Sequence, residues 1–309
     1  ASKFAHDINL VEGVELTAVG SRNLQKAQEF AEKFNASFYY SSYEEVLDNP
    51  SVDVVYIATP HHIHYKNTMQ CLNAGKAVLC EKPFAMKASE VVEMIALARE
   101  KDLFLMEALW TRFIPGTIKV MNLLKQGVIG EIKVLKADFG FIVPKETAGR
   151  LTDPAMGGGS LLDIGIYPVF LSLLLLGKPE EIIAMAQLHN NTDRQCVVTL
   201  KYKESMALLI SSFESNLTTD AVIYGSQGSI RMHAEFHQCS RITVSRNDQS
   251  EEVYEIPYEG LGYCHEIKEV RDCLNNNRSE SSLMRWSDSF TLMDTLDQIM
   301  KQIGMVPVH

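Results

Sequence analysis

An α/β fold in two parts is what this sequence predicts. Residues 1–108 read as a Rossmann-like, doubly wound parallel sheet, and residues 109–309 as an α+β domain with an open, mainly antiparallel sheet. Three observations predict it. In the first third, short, nearly continuous apolar runs alternate with segments of helical period, the pattern of a parallel sheet covered on both faces. Beyond Pro115 the β-like runs crowd together with turn signals between them, which suits hairpins. The length, 309 residues, is that of two ordinary domains of roughly 150 residues each.

Residues 1–10 (ASKFAHDINL) place Phe4, Ile8 and Leu10 on one side of a helix. Residues 14–20 (VELTAVG) form a strand, and residues 23–34 carry Leu24, Ala27, Phe30, Ala31 and Phe34 at helical spacing. Then come a strand at 54–58 (VVYIA), a helix at 63–73, a strand at 77–80 (AVLC), a helix at 88–101 and a strand at 103–107. Right-handed crossovers turn this order into a dinucleotide-binding domain. Such domains put a glycine-rich turn between their first strand and first helix, where the helix N-terminus receives the pyrophosphate. Residues 1–10 already read as that helix. The pattern therefore predicts that a first strand and a glycine fingerprint, roughly 20 residues, precede this chain in the intact protein.

In the second part a helix at 117–126 leads through Gly127 and Gly130 into a strand at 132–142. Further β-like runs follow at 182–188, 197–202, 205–213, 219–224, 230–233, 241–245 and 252–256, then helices at 265–274 and 288–303. An open sheet of this kind has a face to hide, so a homodimer or homotetramer through that face is expected.

Charge and composition exclude several functions. With 29 Lys and Arg against 39 Asp and Glu, the net charge is −10, which disfavours nucleic-acid and anionic-membrane binders. The longest nearly apolar run, residues 166–176, is eleven long and contains Pro168; a membrane span needs about 20. No basic segment and apolar run open the chain as a secretion signal would. The six cysteines show no metal-ligand spacing, so reduced thiols and the cytoplasm are expected.

Four segments carry chemistry. Ser21, Arg22 and Asn23 end the 14–20 strand, where NAD-binding domains place an acidic residue for the adenosine ribose. Here a 2′-phosphate would meet Arg22 and, one helical turn on, Lys26. This predicts NADP over NAD; the plainer reading, two cations solvating a helix start, runs against the helix dipole. Glu81, Lys82 and Pro83 sit at the carboxyl end of a buried strand, the edge where parallel sheets bind ligands. Pro83 forces Lys82 out of helical backbone and could aim its amine at the cleft, through a cis bond if one forms. Read alone, it is an ordinary loop lysine. In residues 157–167 (GGGSLLDIGIY), Asp163 and Tyr167 are four apart and share a face if the segment is helical. An acid and a phenol beside Lys82 would make a proton relay; the plainer reading is a helix cap and a packed ring. Thr59, Pro60, His61, His62 and His64 have the histidine density of a metal site but lack its further ligands, so no metal is expected. A loop over a nicotinamide fits them better. No nucleophile-elbow or phosphate-loop motif points to a hydrolase or NTPase.

In order and spacing, these segments resemble the Gfo/Idh/MocA oxidoreductase family over essentially the whole chain. The resemblance is carried by Ala58, Thr59 and Pro60 with His64, and by Ala74, Gly75 and Lys76 running into Glu81, Lys82 and Pro83. It continues through residues 107–115 (EALWTRFIP), 127–131 (GVIGE) and 157–167. It implies hydride exchange between a sugar or cyclic diol C–OH and a nicotinamide. Lys82 matches the family's active-site lysine, and Asp163 with Tyr167 its Asp-x₃-Tyr. The tyrosine would exchange the hydroxyl proton, with the lysine lowering its pKa. Trp110 and Arg112 match positions near nicotinamide and substrate. The expected cofactor contacts are thus Ser21, Arg22, Lys26, Thr59, Pro60, His61, His64, Glu81, Lys82, Trp110 and Arg112. His61 departs from the family pattern, standing where many members have Asn; Tyr167 stands where many sugar-specific members have His, which places the chain nearer the diol-oxidising branch and leaves the substrate open. Two alternatives stay open: a non-catalytic NAD(P)-binding sensor or scaffold, and a carbonyl or imine reductase of the biliverdin-reductase type.

Overall fold

The computed structural model describes residues 1–144 and 149–305. Its first part runs α1 (Ser2–Ile8), β1 (Ala18–Gly20), α2 (Leu24–Phe34), β2 (Phe38–Tyr40), α3 (Tyr43–Asp48) and β3 (Val54–Ile57). It continues with α4 (His64–Asn73), β4 (Ala77–Glu81), α5 (Ala88–Glu100) and β5 (Leu105–Ala108). All its strand pairs are parallel: β1 on β2, and β3-β4-β5 in that order. Among the described residues no strand joins these two pieces. The central strand β4 is buried through Cys80, so its apolar run is continuous rather than alternating. Helix α2 starts where the Asn23 side chain accepts the Lys26 N–H, leaving Ala27, Ala31 and Phe34 to face the sheet.

Strand β2 and helix α3 have no counterpart in the sequence expectation. Strand β2 is short and mostly exposed, so it lacks a hydrophobic pattern. Helix α3 did carry a signal: Ser42 and Glu45 form a reciprocal capping box, spaced as such boxes require.

The second part begins with α6 (Pro115–Lys125) and builds one eight-stranded sheet. Its strands are β6 (Ile132–Gly140), β7 (Glu181–His189), β8 (Thr192–Lys201), β9 (Met206–Ser212), β10 (Ala221–Gly225), β11 (Gly228–Met232), β12 (Arg241–Arg246) and β13 (Glu251–Glu255). The order is β13-β12-β11-β10-β6-β9-β8-β7, antiparallel except for the β6–β9 pair. Helices α7 (Ile166–Leu176), α8 (Cys264–Asn275) and α9 (Trp286–Gln302) complete it, with α7 and α9 against the sheet.

Strand β8 starts five residues before the expected run, at Thr192, because Thr192, Asp193 and Arg194 are buried despite being polar. The stretch Pro154–Leu176 is long and apolar enough to cross a membrane, unlike the shorter run read from sequence. However, 72% of its apolar window is buried inside the fold, as in a core helix. The opposite face of the sheet is open. Ile183, Met185, Val197, Met206, Leu208 and Val134 lie exposed along neighbouring strands, Met185 at 71%.

Candidate active site

At the carboxyl end of β4 the chain turns through Glu81 and Lys82 into a cis peptide at Pro83. The loop is tied down behind by Glu107 of β5, whose Oε1 accepts the Phe84 N–H at 3.1 Å. Glu107 is fully buried, its Oε2 has no partner, and burial raises its pKa to about 7, with the Phe84 hydrogen bond opposing.

Lys82 crosses to the second part of the molecule. Its Nζ donates to the Asp163 main-chain oxygen at 2.5 Å, stands 3.8 Å from Asp163 Oδ1, and lies over the Tyr167 ring, 5.0 Å from the centroid. Lysine, acid and phenol thus converge from stretches 81 residues apart. Asp163 and Tyr167 do not share an α-helical face as the spacing suggested. Asp163 belongs to a π turn, Leu161–Gly165, which runs into α7, and Tyr167 lies in the first turn of that helix.

The π turn is anchored from the sheet. Asp193 Oδ2 accepts the Ser160 hydroxyl at 2.6 Å and the Leu161 N–H at 2.8 Å, and Ser160 also bonds Ser211 at 2.9 Å. Burial raises the Asp193 pKa to about 6 against these donors. Gly159, at φ +129°, is required here: a Cβ would stand 2.2 Å from Asp193 Oδ1.

His61 Nδ1 bonds the Gly157 carbonyl at 3.0 Å, and its Nε2 is 3.7 Å from Asp163 Oδ1. Burial, then the Lys82 ammonium, bring its pKa down to about 3, so the ring is neutral. Burial alone would raise the Asp163 carboxyl, but Lys82 and the Arg150 guanidinium at 3.5 Å hold it below the usual carboxylate range. His64 lies between the Pro83 and Thr59 carbonyls, 2.8 Å from each, and a neutral ring donates to only one of them. The Thr59 hydroxyl accepts from Asn67 at 3.0 Å, and Pro60 opens the 3-10 turn His61–Ile63. The expected nicotinamide strap is therefore stitched to the Lys82 loop.

Trp110 Nε1 donates to the Tyr167 hydroxyl at 3.2 Å. The phenol is pushed well up, by burial first and by the Glu81 carboxylate second, with Trp110 opposing. The lowering expected from Lys82 does not prevail over burial here. The ammonium sits over the ring face and spends a hydrogen on Asp163 rather than on the phenol oxygen. Glu81 itself accepts from the Tyr56 hydroxyl.

Ser21, Arg22 and Lys26 lie together where β1 passes into α2. Ser21 Oγ accepts the Asn23 N–H at 3.2 Å, and both cations are exposed, without an ion pair among the described residues. Arg112 is not brought to the cluster. It bonds the Leu283 carbonyl at 2.7 Å and Met121 Sδ at 3.6 Å, facing Asp288 and Glu269. Sequence reasoning missed His237, which stacks on Phe139 with centroids 4.6 Å apart and stands 5.1 Å from the Tyr167 ring. It lies in the isolated 3-10 turn Phe236–Gln238, where no periodicity could mark it.

A nucleotide-type parallel domain and a lysine–phenol pair at its carboxyl edge define a class, the nicotinamide-dependent oxidoreductases. Comparison with known proteins places the chain within it. The model described as "Oxidoreductase family, NAD-binding Rossmann fold" (GFO_IDH_MocA) matches residues 1–109, and that of the "GFO/IDH/MocA C-terminal domain" matches residues 117–231. The chain belongs to this Gfo/Idh/MocA family. It is 37% identical over 324 residues to the trans-1,2-dihydrobenzene-1,2-diol dehydrogenase of Danio rerio, covering 99% of this chain and 96% of that one. The Homo sapiens enzyme of the same name is 37% identical over 303 residues, 94% of this chain and 89% of that one. Among solved structures, a 3-ketoreductase of Actinomadura kijaniata (KijD10) in complex with NADP and TDP-benzene superimposes with a TM-score of 0.88 at 26% identity. That match covers 97% of this chain and 93% of that one. A levoglucosan dehydrogenase at 18% identity and TM-score 0.87, over 98% and 93% of the chains, shares the fold.

Proposed function

We propose that this protein is an NADP-dependent dehydrogenase that moves a hydride between a hydroxyl-bearing carbon of a pyranose or vicinal diol and the cofactor. The convergence of Lys82, Asp163 and Tyr167 in one buried cluster carries this reading. The names of the relatives, diol dehydrogenases and a sugar ketoreductase with NADP, support it.

The residues present fit a 2′-phosphorylated dinucleotide. A hydroxyl and two cations without an ion pair among the described residues, Ser21, Arg22 and Lys26, wait beyond β1, and Thr59, Pro60, His61, His64, Glu81 and Trp110 border the Lys82 loop. Arg112, turned toward Leu283, has no place in that set. When bound, the nicotinamide supplies the hydride acceptor or donor. The protein's part is the proton and the charge. Lys82 carries three N–H groups; one is given to the Asp163 carbonyl, which leaves donors for the substrate oxygen. Tyr167, raised by burial, is a neutral phenol that would give its proton to the carbonyl oxygen in the reducing direction, leaving the phenolate that takes the hydroxyl proton in the oxidising direction. Asp163, held ionised, fixes the ammonium between main chain and ring.

In this reading residues 1–108 hold the cofactor, and residues 109–309 hold the substrate and the subunit contact. A homodimer or homotetramer forms through the open sheet face, whose exposed Ile183, Met185, Met206 and Leu208 support a subunit contact there. The six cysteines are all unpaired and buried, which suits a reducing compartment such as the cytoplasm.

The test is Tyr167→Phe, assayed by nicotinamide absorbance over a panel of sugars and diols. The expected result is a kcat lower by about 10²- to 10⁴-fold with the NADP Kd unchanged. Undiminished turnover would remove the phenol from the reaction. Tight NADP binding without turnover of any panel member by the unmodified protein would favour a sensor or scaffold.

A further inference from the structure

Outside the Lys82 cluster, one buried carboxylate has no local reason to be where it is. Asp7 lies in the last turn of α1 with its side chain fully enclosed. A negative charge at that end opposes the helix dipole, and burying it costs more unless donors surround it. The donors come from the second part of the molecule. The Leu261 N–H reaches both carboxylate oxygens at 2.9 Å, and the Tyr263 N–H reaches Oδ2 at 2.8 Å. The neighbouring His6 ring stands 2.9 Å from Oδ1.

This clip continues into the active site. Between the carboxylate and the Trp110 indole there is room only for bare main chain. A Cβ at Gly260 would stand 2.4 Å from Asp7 Oδ1, and one at Gly262 would stand 2.7 Å from the Trp110 ring. Tyr263 then lays its ring on Trp110, with centroids 4.7 Å apart and an interplanar angle of 17°. Phe4, on the same helix as Asp7, meets the Tyr263 ring edge-to-face with centroids 6.0 Å apart. Helix α1 thus holds Tyr263 by its main chain and by its side chain. Trp110 in turn gives its N–H to the Tyr167 hydroxyl, a hydrogen bond that opposes the upward push of burial on the phenol.

We infer that Asp7 is a positioning residue for the reaction: its carboxylate fixes residues 261–263, Tyr263 fixes the Trp110 indole, and the indole N–H is thereby held on the reacting phenol. This rests on the dehydrogenase reading above and deepens it by naming what keeps the phenol's donor in place. Without the clip, the segment with two glycines can move and the indole with it, so the phenolate formed during the reaction loses a donor.

The experiment uses Asp7→Leu, Asp7→Asn, Tyr263→Leu, Trp110→Phe and the double variant Asp7→Leu/Trp110→Phe. Each is read by its NADP Kd, by kcat and KM on the panel of sugars and diols, and by tryptophan emission. Leucine fills the volume without accepting a hydrogen bond, whereas asparagine can keep its oxygen at the Oδ2 position and accept both N–H groups. Asp7→Leu should lower kcat about 3- to 10-fold, the effect of one hydrogen bond, with the NADP Kd unchanged. Tyr263→Leu should do the same, which keeps the test decisive if Asp7→Leu fails to fold, and Asp7→Asn should retain kcat. In the Trp110→Phe background, Asp7→Leu should change kcat by less than about 2-fold, because the group it acts through is gone. Trp110 and Trp286 are the only tryptophans, so emission that shifts with Asp7→Leu alone but not in the Trp110→Phe background reports the indole directly. Additive losses in the double variant, an unshifted emission, or an Asp7→Asn variant no better than Asp7→Leu would overturn the assignment. A wild-type protein inactive over the whole panel, with the emission shift present, would instead overturn the dehydrogenase reading and leave the link from Asp7 to Trp110 in place.

Discussion

Replacing Glu107 by Gln should change how stability depends on pH. The carboxyl ionises at about 7 in the fold but at 4.5 in its ordinary state. A group raised in this way stabilises the fold fully below its unfolded pKa, and that contribution is lost as pH climbs through the folded value. Each decade of proton affinity is about 1.4 kcal/mol, so the loss between pH 5 and pH 8 comes to about 2 to 3 kcal/mol. Glutamine cannot ionise, while its carbonyl can still accept the Phe84 N–H. Its amide would lie where Oε2 has no partner, a cost that does not vary with pH. Urea denaturation of both proteins at pH 5, 6.5 and 8 isolates the effect, because other titrations cancel in the difference. The stability of the variant relative to wild type should improve by about 2 to 3 kcal/mol across that range. A difference that stays flat from pH 5 to 8 would show that Glu107 ionises normally and that its burial carries no proton.

Two further outcomes follow from exposed residues. Arg22→Ala should weaken NADP by about 10- to 100-fold, the value of charge-assisted hydrogen bonds, and barely alter NAD; calorimetry with both cofactors checks it, and equal losses would refute a 2′-phosphate contact. Met185→Glu puts a charge at the most exposed apolar position of the open sheet face. Light scattering should show wild type as a dimer or tetramer and the variant shifted toward monomer; identical masses would refute that interface.

The alternation of strands and helices was legible from residue 14 to residue 108 because buried parallel strands are apolar throughout and amphipathic helices keep their period. Lys82 could be placed at a ligand-binding edge for the same reason: the apolar run of β4 stops just before it. What escaped was polar or solitary. The buried opening of β8 reads as a loop because Thr192, Asp193 and Arg194 find partners in Thr152, Ser160 and Glu214 rather than in water. His237 has no neighbouring pattern and acquires meaning only from rings contributed by β6, α7 and the Trp110 turn. Arg112 shows the converse: a match to a motif gave the position of its main chain but not the direction of its side chain. The phenol does stand beside Lys82, yet its electrostatics depend on where a flexible amine points, which spacing does not encode.

A π turn is an α-helical turn carrying one surplus position, and an α-helix advances about 100° per residue. Deleting Ile164 or Gly165 would let the segment relax into regular helix, swinging Asp163 around the axis by roughly that angle relative to the helix beyond. The carbonyl that receives the lysine would then face elsewhere while every side chain needed for the reaction remained in the chain. Here length, more than the identity of the leucines and isoleucine that fill it, is what descent with insertions and deletions must leave alone.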